Sequence, residues 1–158
     1  MNQRDDQQFL KLFQDYRYEH QLNFYRARRI EFTKAQTQAI IISIGLIFLA
    51  AAAGAFAPVS GSWLKVACLL VAAIFPVLST AIAGYSVLYA FEQQAKLYQD
   101  TINNLLLARS LAPDLKQGLS DTDFTAQLDK YVNEVEKIFL VEQGQWGQLA
   151  KLMKPSEV

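Results

Sequence analysis

Hydrophobic and polar positions divide the chain into three zones. From Ala35 to Leu64 no charged residue occurs, and the apolar heart of this run is AIIISIGLIFLAAAAGAFA, residues 39–57. After Lys65 a second run, Val66 to Phe91, is again free of charge. A membrane-spanning helix needs roughly 20 mainly apolar residues, so both runs are long enough to cross. Neither reads as a cleaved leader, because the first lies deep in the chain behind a charged helix. Two helices apolar on every side cannot be enclosed by so short a chain, so a soluble core is excluded as their home. PVSGSW, residues 58–63, joins them: Pro58 stops the first helix, Gly61 allows a tight turn, and Trp63 sits where an interfacial aromatic would anchor the second. Tyr85 and Tyr89 suit the opposite interface.

The flanking zones show a helical period instead. Asp5 with Gln8 suggests a capped start, and Phe9, Phe13, Tyr16, His20, Phe24 and Ala27 then recur at steps of three and four. With no Pro or Gly over residues 5–44, one helix is expected from about residue 6 through the first span to about residue 57. The second span is expected to run on without a break, since Phe91, Ala95, Tyr98, Ile102 and Leu105 keep the period. Pro113 and Gly118 mark a linker. Ser120 with Asp123 forms an S-x-x-D start for a last helix, whose apolar face is Phe124, Leu128, Tyr131, Val135, Ile138 and Phe139. No strand and no repeat is expected.

The fold class is therefore an all-α membrane protein: a two-helix transmembrane hairpin with long helical extensions and a C-terminal helix, forming a cytoplasmic helical bundle. The expected segments are an N-terminal helix over 1–34, spans over 35–58 and 65–91 with an external loop at 59–64, a helical extension over 92–112, a linker at 113–120 and a last helix over 121–153. The apolar stripes serve either folding of the monomer or packing between subunits in a homo-oligomer.

Charge sets the orientation. Residues 35–91 carry only Lys65, whereas Arg17, Arg26, Arg28, Arg29 and Lys34 precede the first span and Lys96 and Arg109 follow the second. Basic residues near spans stay on the cytoplasmic side, so both termini are expected there. Arg26, Arg28, Arg29 and Lys34 are also placed to meet anionic lipid headgroups of the bilayer. Fifteen basic residues against fifteen acidic ones argue against a nucleic-acid partner.

Candidate chemistry is sparse. Cys68 is the only cysteine and lies in an apolar run, and His20 has no second His or Cys near it. No nucleophile–base set and no phosphate loop occurs, which predicts a non-enzyme without cofactor or metal. Apart from Lys65 at the edge of the second, neither span holds a charged residue, which excludes a proton relay. Small residues do align: Ala50, Gly54 and Ala57 in the first span, and Ala72, Pro76, Ser79, Ala83, Ser86 and Ala90 in the second. Such faces either pack helices closely or, in an oligomer, let Ser79, Ala83 and Ser86 line a conduit with Pro76 as a hinge.

YRARRIEF before the first span, FEQQAKLYQDTINNLLLARS after the second, and VNEVEKIFLVEQGQW near the C-terminus, with Val135, Glu136, Glu142 and Trp146 in the pattern V-E-x-I-x-x-x-E-x-x-x-W, occur in this order around a hairpin. The combination resembles the SLATT domains over roughly Tyr16 to Leu149. The resemblance implies a bacterial inner-membrane effector that forms pores in anti-phage conflict systems, with a nucleotide-signalling or sensor partner protein. A Tyr-Arg pair is common in that family after the second span; here Tyr98 is followed by Gln99. Within the pattern, Glu136 is expected to form a buried pair with Arg26 or Arg29, and Trp146 to cover the end of the bundle; Glu142 continues the same helix. The competing expectations are a membrane-anchored interaction or scaffold module without pore activity, and a constitutive channel.

Overall fold

The computed structural model describes residues 3–114 and 120–153, with side chains for 4–114 and 120–147. Among the described residues the regular structure is helical throughout. Helix α1 spans Gln3–Leu12, a single π-helical turn covers Phe13–Tyr18, and α2 runs Glu19–Phe56. A short 3-10 turn, Ala57–Val59, leads to α3, Ser62–Leu88, then α4, Phe91–Arg109, and α5, Asp121–Met153. The chain forms two compact units: residues up to Ile30 together with those from Gln94 onward, and Glu31–Gln93.

The first unit is a helical bundle. Its core is made by Leu10, Tyr18, Leu22 and Tyr25 from the N-terminal helices, Tyr98, Ile102 and Leu105 from α4, and Phe124, Leu128, Tyr131, Val135 and Phe139 from α5. The α4 and α5 faces are those the sequence period marks. The N-terminal face is not: Tyr16 and Phe24 lie exposed, and Phe9 and His20 with them. Phe9 lies outside because α1 turns Leu10 inward instead; from Tyr16 onward the reason is the π turn. Half-buried Phe13 and buried Tyr18 are five positions apart, so the inward face passes from Leu10 to Phe13, then to Tyr18, Leu22 and Tyr25. The stripe of Phe9, Tyr16, Phe24 and Ala27 is left outside.

One helix start and one stop differ from expectation, and one start agrees with it. Helix α1 already includes Gln3, so Asp5 is inside it and not its cap; instead buried Asp6 accepts a hydrogen bond from Thr125 Oγ1 at 2.8 Å. Ser120 does cap α5: Asp123 N–H donates to Ser120 Oγ at 3.3 Å, and that hydroxyl donates to Asp123 Oδ2 at 2.6 Å. Helix α4 closes at Arg109 with tighter turns, in which Ser110 and Leu111 N–H donate to the carbonyls of Leu107 and Ala108. The linker turn expected at Gly118 lies outside the described residues.

The second unit is the apolar hairpin of α2 and α3. Pro58 ends the first helix within the 3-10 turn, and Ser60 Oγ caps Phe56 O at 2.7 Å. Helix α3 continues through Pro76. It does not continue into α4. Leu88 is its last residue, and Ala90 takes φ 51, the left-handed conformation that non-glycine residues avoid. An aromatic cluster surrounds this break: the Tyr85 and Tyr89 ring centroids are 4.3 Å apart, and Phe91 lies 5.9 Å from Tyr89 and 6.3 Å from Phe32. The alanine in this conformation is thus flanked by packed aromatic rings.

Candidate functional site

The bundle is locked by polar contacts between distant parts of the chain. Arg17, on the π turn, faces Glu136 on α5 through two parallel hydrogen bonds, Nε to Oε1 and Nη2 to Oε2, each 3.0 Å. The same guanidinium lies 5.0 Å above the Phe139 ring. The hydrogen bonds to Glu136 raise the Arg17 pKa further above its ordinary value. Thus Glu136 pairs with Arg17, not with Arg26 or Arg29, because the π turn carries Arg17 toward α5. The pair is about half exposed, at 48% and 39%, so it is a surface clamp and not the buried pair the sequence suggested.

One turn and a half further along α5, Glu142 gathers two donors. Tyr25 Oη donates to its Oε2 at 3.0 Å, and Trp146 Nε1 donates to its Oε1. Trp146 packs on Tyr98 with centroids 5.1 Å apart, and Tyr98 meets Tyr25 at 5.9 Å. Tyr25 is thereby held as the neutral phenol: burial, then the negative Glu142, push its pKa well above the ordinary tyrosine value. Burial likewise pushes Tyr131 up to about 12 and raises Tyr18, which donates to Leu105 O at 3.0 Å. At the far side Arg109 Nη1 pairs with Glu19 at 2.9 Å. Glu136, Glu142 and Trp146 therefore all serve contacts between helices. Arg17, Tyr25 and Tyr18 complete the lock; Arg17 was read only as a charge that orients the hairpin and the two tyrosines were not singled out, since their partners lie at least 87 residues away.

Recesses open on the bundle among the described residues. One, of about 440 Å³, is a groove between α4 and α5. Another, about 330 Å³, is bounded by Arg17, His20, Phe24, Tyr25 and Glu142. Among the described residues no group of three or more His, Cys, Asp or Glu is placed to hold a metal ion.

In the hairpin the small residues sort by face. Ser79 is buried, and it and Ser43 bond reciprocally across the helices: Ser79 Oγ donates to Ser43 O at 3.1 Å, and Ser43 Oγ to Ser79 O at 3.5 Å. Ala50 is buried, and a Cβ built on Gly54 would lie 3.8 Å from Ala72 Cβ. Pro76 and Ala83 are exposed and Ser86 is half-buried, its Oγ donating to Ala83 O at 2.8 Å. Ser79 thus stands with Ala50 and Gly54 in the helix–helix seam, apart from Pro76 and Ala83. Arg26, Arg28, Arg29 and Lys34 are exposed, with the Arg28 guanidinium 5.5 Å above the Phe24 ring.

Both α2 and α3 contain an 18-residue apolar window of which only 6% is buried. Chains that bury so little of so apolar a surface need lipid around it. A family profile described as "SMODS and SLOG-associating 2TM effector domain 1" matches residues 13–146. The chain belongs to the SLATT family. Its two uncovered helices account for the two membrane segments in that description, and this SLATT chain is a membrane protein. No match was found among curated proteins or among solved structures.

Proposed function

We propose that this SLATT chain is a self-assembling effector of the bacterial inner membrane that opens a conduit when triggered in a conflict with phage. The observation that carries this reading is the family match combined with two spans whose apolar surface the chain itself leaves uncovered. Two helices cannot enclose water, so a conduit requires several copies. The basic residues Arg26, Arg28, Arg29 and Lys34 favour cytoplasmic termini, at ~1 kcal/mol per residue near an anionic leaflet. The bundle then receives the trigger. The family description, which speaks of association with SMODS and SLOG, supports a nucleotide-signalling or sensor partner for that step. The polar groups of the bundle join helix to helix, which supports a role without catalysis.

Purified chain reconstituted in liposomes should release small ions, and its production in cells should collapse the membrane potential. Full potential in cells whose membranes demonstrably contain the inserted chain would contradict the proposal. In that case a soluble partner captured through the bundle would establish the scaffold reading, for which the open α4–α5 groove speaks.

A further inference from the structure

The chain passes twice between its two units, once within α2 at Ile30 and Glu31 and once within α4 at Gln93 and Gln94. The first passage is unbroken helix from Glu19 to Phe56. The second comes three residues after the break between α3 and α4, which consists of Tyr89 and Ala90 alone. Nothing in the residues there asks for a break. Between Gly84 and Pro113 stands neither glycine nor proline, and Leu88, Phe91, Ala95 and Tyr98 keep steps of three and four across it. Ala90 has no side-chain oxygen to cap α4, and it takes φ 51 although it carries a Cβ. Its N–H donates to Val87 O at 3.0 Å, three residues back instead of four. The first N–H groups of α4 have no carbonyl one turn back in their own helix.

The broken form has contacts of its own. The Phe91 ring lies 5.9 Å from Tyr89 and 6.1 Å from Tyr85. Neither pair could meet on one continuous helix. Residues two apart point to opposite sides there, and residues six apart stand about 120° apart around the axis and ~9 Å apart along it. Turning Ala90 to the right-handed conformation would exchange these ring contacts for helical hydrogen bonds. The N–H groups of Phe91, Glu92 and Gln93 would then reach the carbonyls of Val87, Leu88 and Tyr89. The left-handed alanine would be relieved as well. Each form thus has a compensation that the other lacks, which is the condition for a two-state element. We propose that Tyr89 and Ala90 form a two-state joint, broken at rest and closed into one helix from α3 through α4 when the conduit opens. The inference rests on the conduit reading above and supplies the backbone change on which the trigger acts.

The test biases the joint from both sides in the full-length chain reconstituted in lipid. Ala90→Gly removes the left-handed cost and weakens a continuous helix, whereas Ala90→Val makes the left-handed form prohibitive. Hydrogen exchange at the Glu92 and Gln93 amides, resolved by fragmentation, reads the joint itself, because a substitution at position 90 leaves their intrinsic rates unchanged. Exchange there should be about tenfold slower in the Ala90→Val chain than in the Ala90→Gly chain, the factor set by the left-handed penalty of one residue. Potassium release from liposomes should be about tenfold faster, by the same bias. Phe91→Leu removes the ring contacts of the broken form without touching Ala90, and should move Gln93 exchange and potassium release in the same direction as Ala90→Val. It carries the test where valine impairs insertion. Equal exchange in all three chains would overturn the joint. Different exchange with equal potassium release would overturn its coupling to the conduit. Different exchange with no release from any chain would remove the conduit reading while the joint itself stands.

Discussion

In the bundle, Leu22, Leu105, Tyr131 and Val135 are sealed from solvent, and polar residues such as Arg17 and Glu136 lie toward the surface. In the hairpin the order is inverted: Ile44, Phe48 and Val77 face outward, and Ser79 is buried in the seam with its hydroxyl bonded to Ser43 O. One chain therefore obeys two solvents. Water drives apolar side chains inward in the first region, at roughly 25 cal/mol per Å². Lipid removes that drive in the second, so small residues, close backbones and interhelical hydrogen bonds hold the helices.

The contrast is sharpest for matched aliphatic truncations. Leu22→Ala should lower bundle stability by about 2–5 kcal/mol in chemical denaturation, since it leaves a cavity in a closed core. Ile44→Ala should leave the stability of the micelle-borne hairpin within about 0.5 kcal/mol, because its side chain touches solvent lipid and not the core. Equal costs at the two positions would abolish the distinction. Placing a charge reverses the ranking. Ile44→Arg should cost about 2.5–3.5 kcal/mol in membrane insertion, read as a reduced inserted fraction in a glycosylation reporter assay. The exposed bundle position Leu140→Arg should cost almost nothing in the same assay.

Smaller effects test the joints. Ala90→Gly should stabilise the fold by about 1 kcal/mol, because glycine adopts φ 51 without steric cost. A loss of stability there would mean that the break between α3 and α4 is not held under strain. Glu136→Ala should cost about 1 kcal/mol or less, since a half-exposed clamp is screened by water. The phenols supply the pH dependence. Tyr18, Tyr25 and Tyr131 all have folded pKa values above the ordinary tyrosine value of about 10, so the folded state holds protons that the unfolded chain releases. Their contribution is complete below about pH 10 and is lost as pH rises from there toward about 12 and beyond. In a chain with Tyr16, Tyr85, Tyr89 and Tyr98 changed to Phe, phenolate absorbance that appears before the bundle melts would contradict this.

Much of the architecture was legible from residue pattern alone. Uncharged runs locate the hairpin, and the period of Phe124, Leu128, Tyr131 and Val135 locates the buried face of α5, because regular helices repeat what they bury. Irregular geometry escapes that reasoning. A π turn adds one residue to a single turn, and nothing in FQDYRY announces it, so the N-terminal stripe was read one face out of register. Alanine is the best helix former, so a stop at Ala90 contradicts its own propensity and could not be read from it. The Arg17–Glu136 clamp joins residues 119 apart, a distance at which spacing carries no information. Among the candidate site residues, Glu142 and Trp146 were visible as a pair on one helix face, but Tyr25, which completes their contact, was not.

Recording from a planar bilayer containing the purified full-length chain tests the central claim most directly. Discrete conductance steps whose frequency rises more steeply than in proportion to protein density are predicted. A bilayer that stays silent, while protease protection shows both spans inserted, would contradict the account.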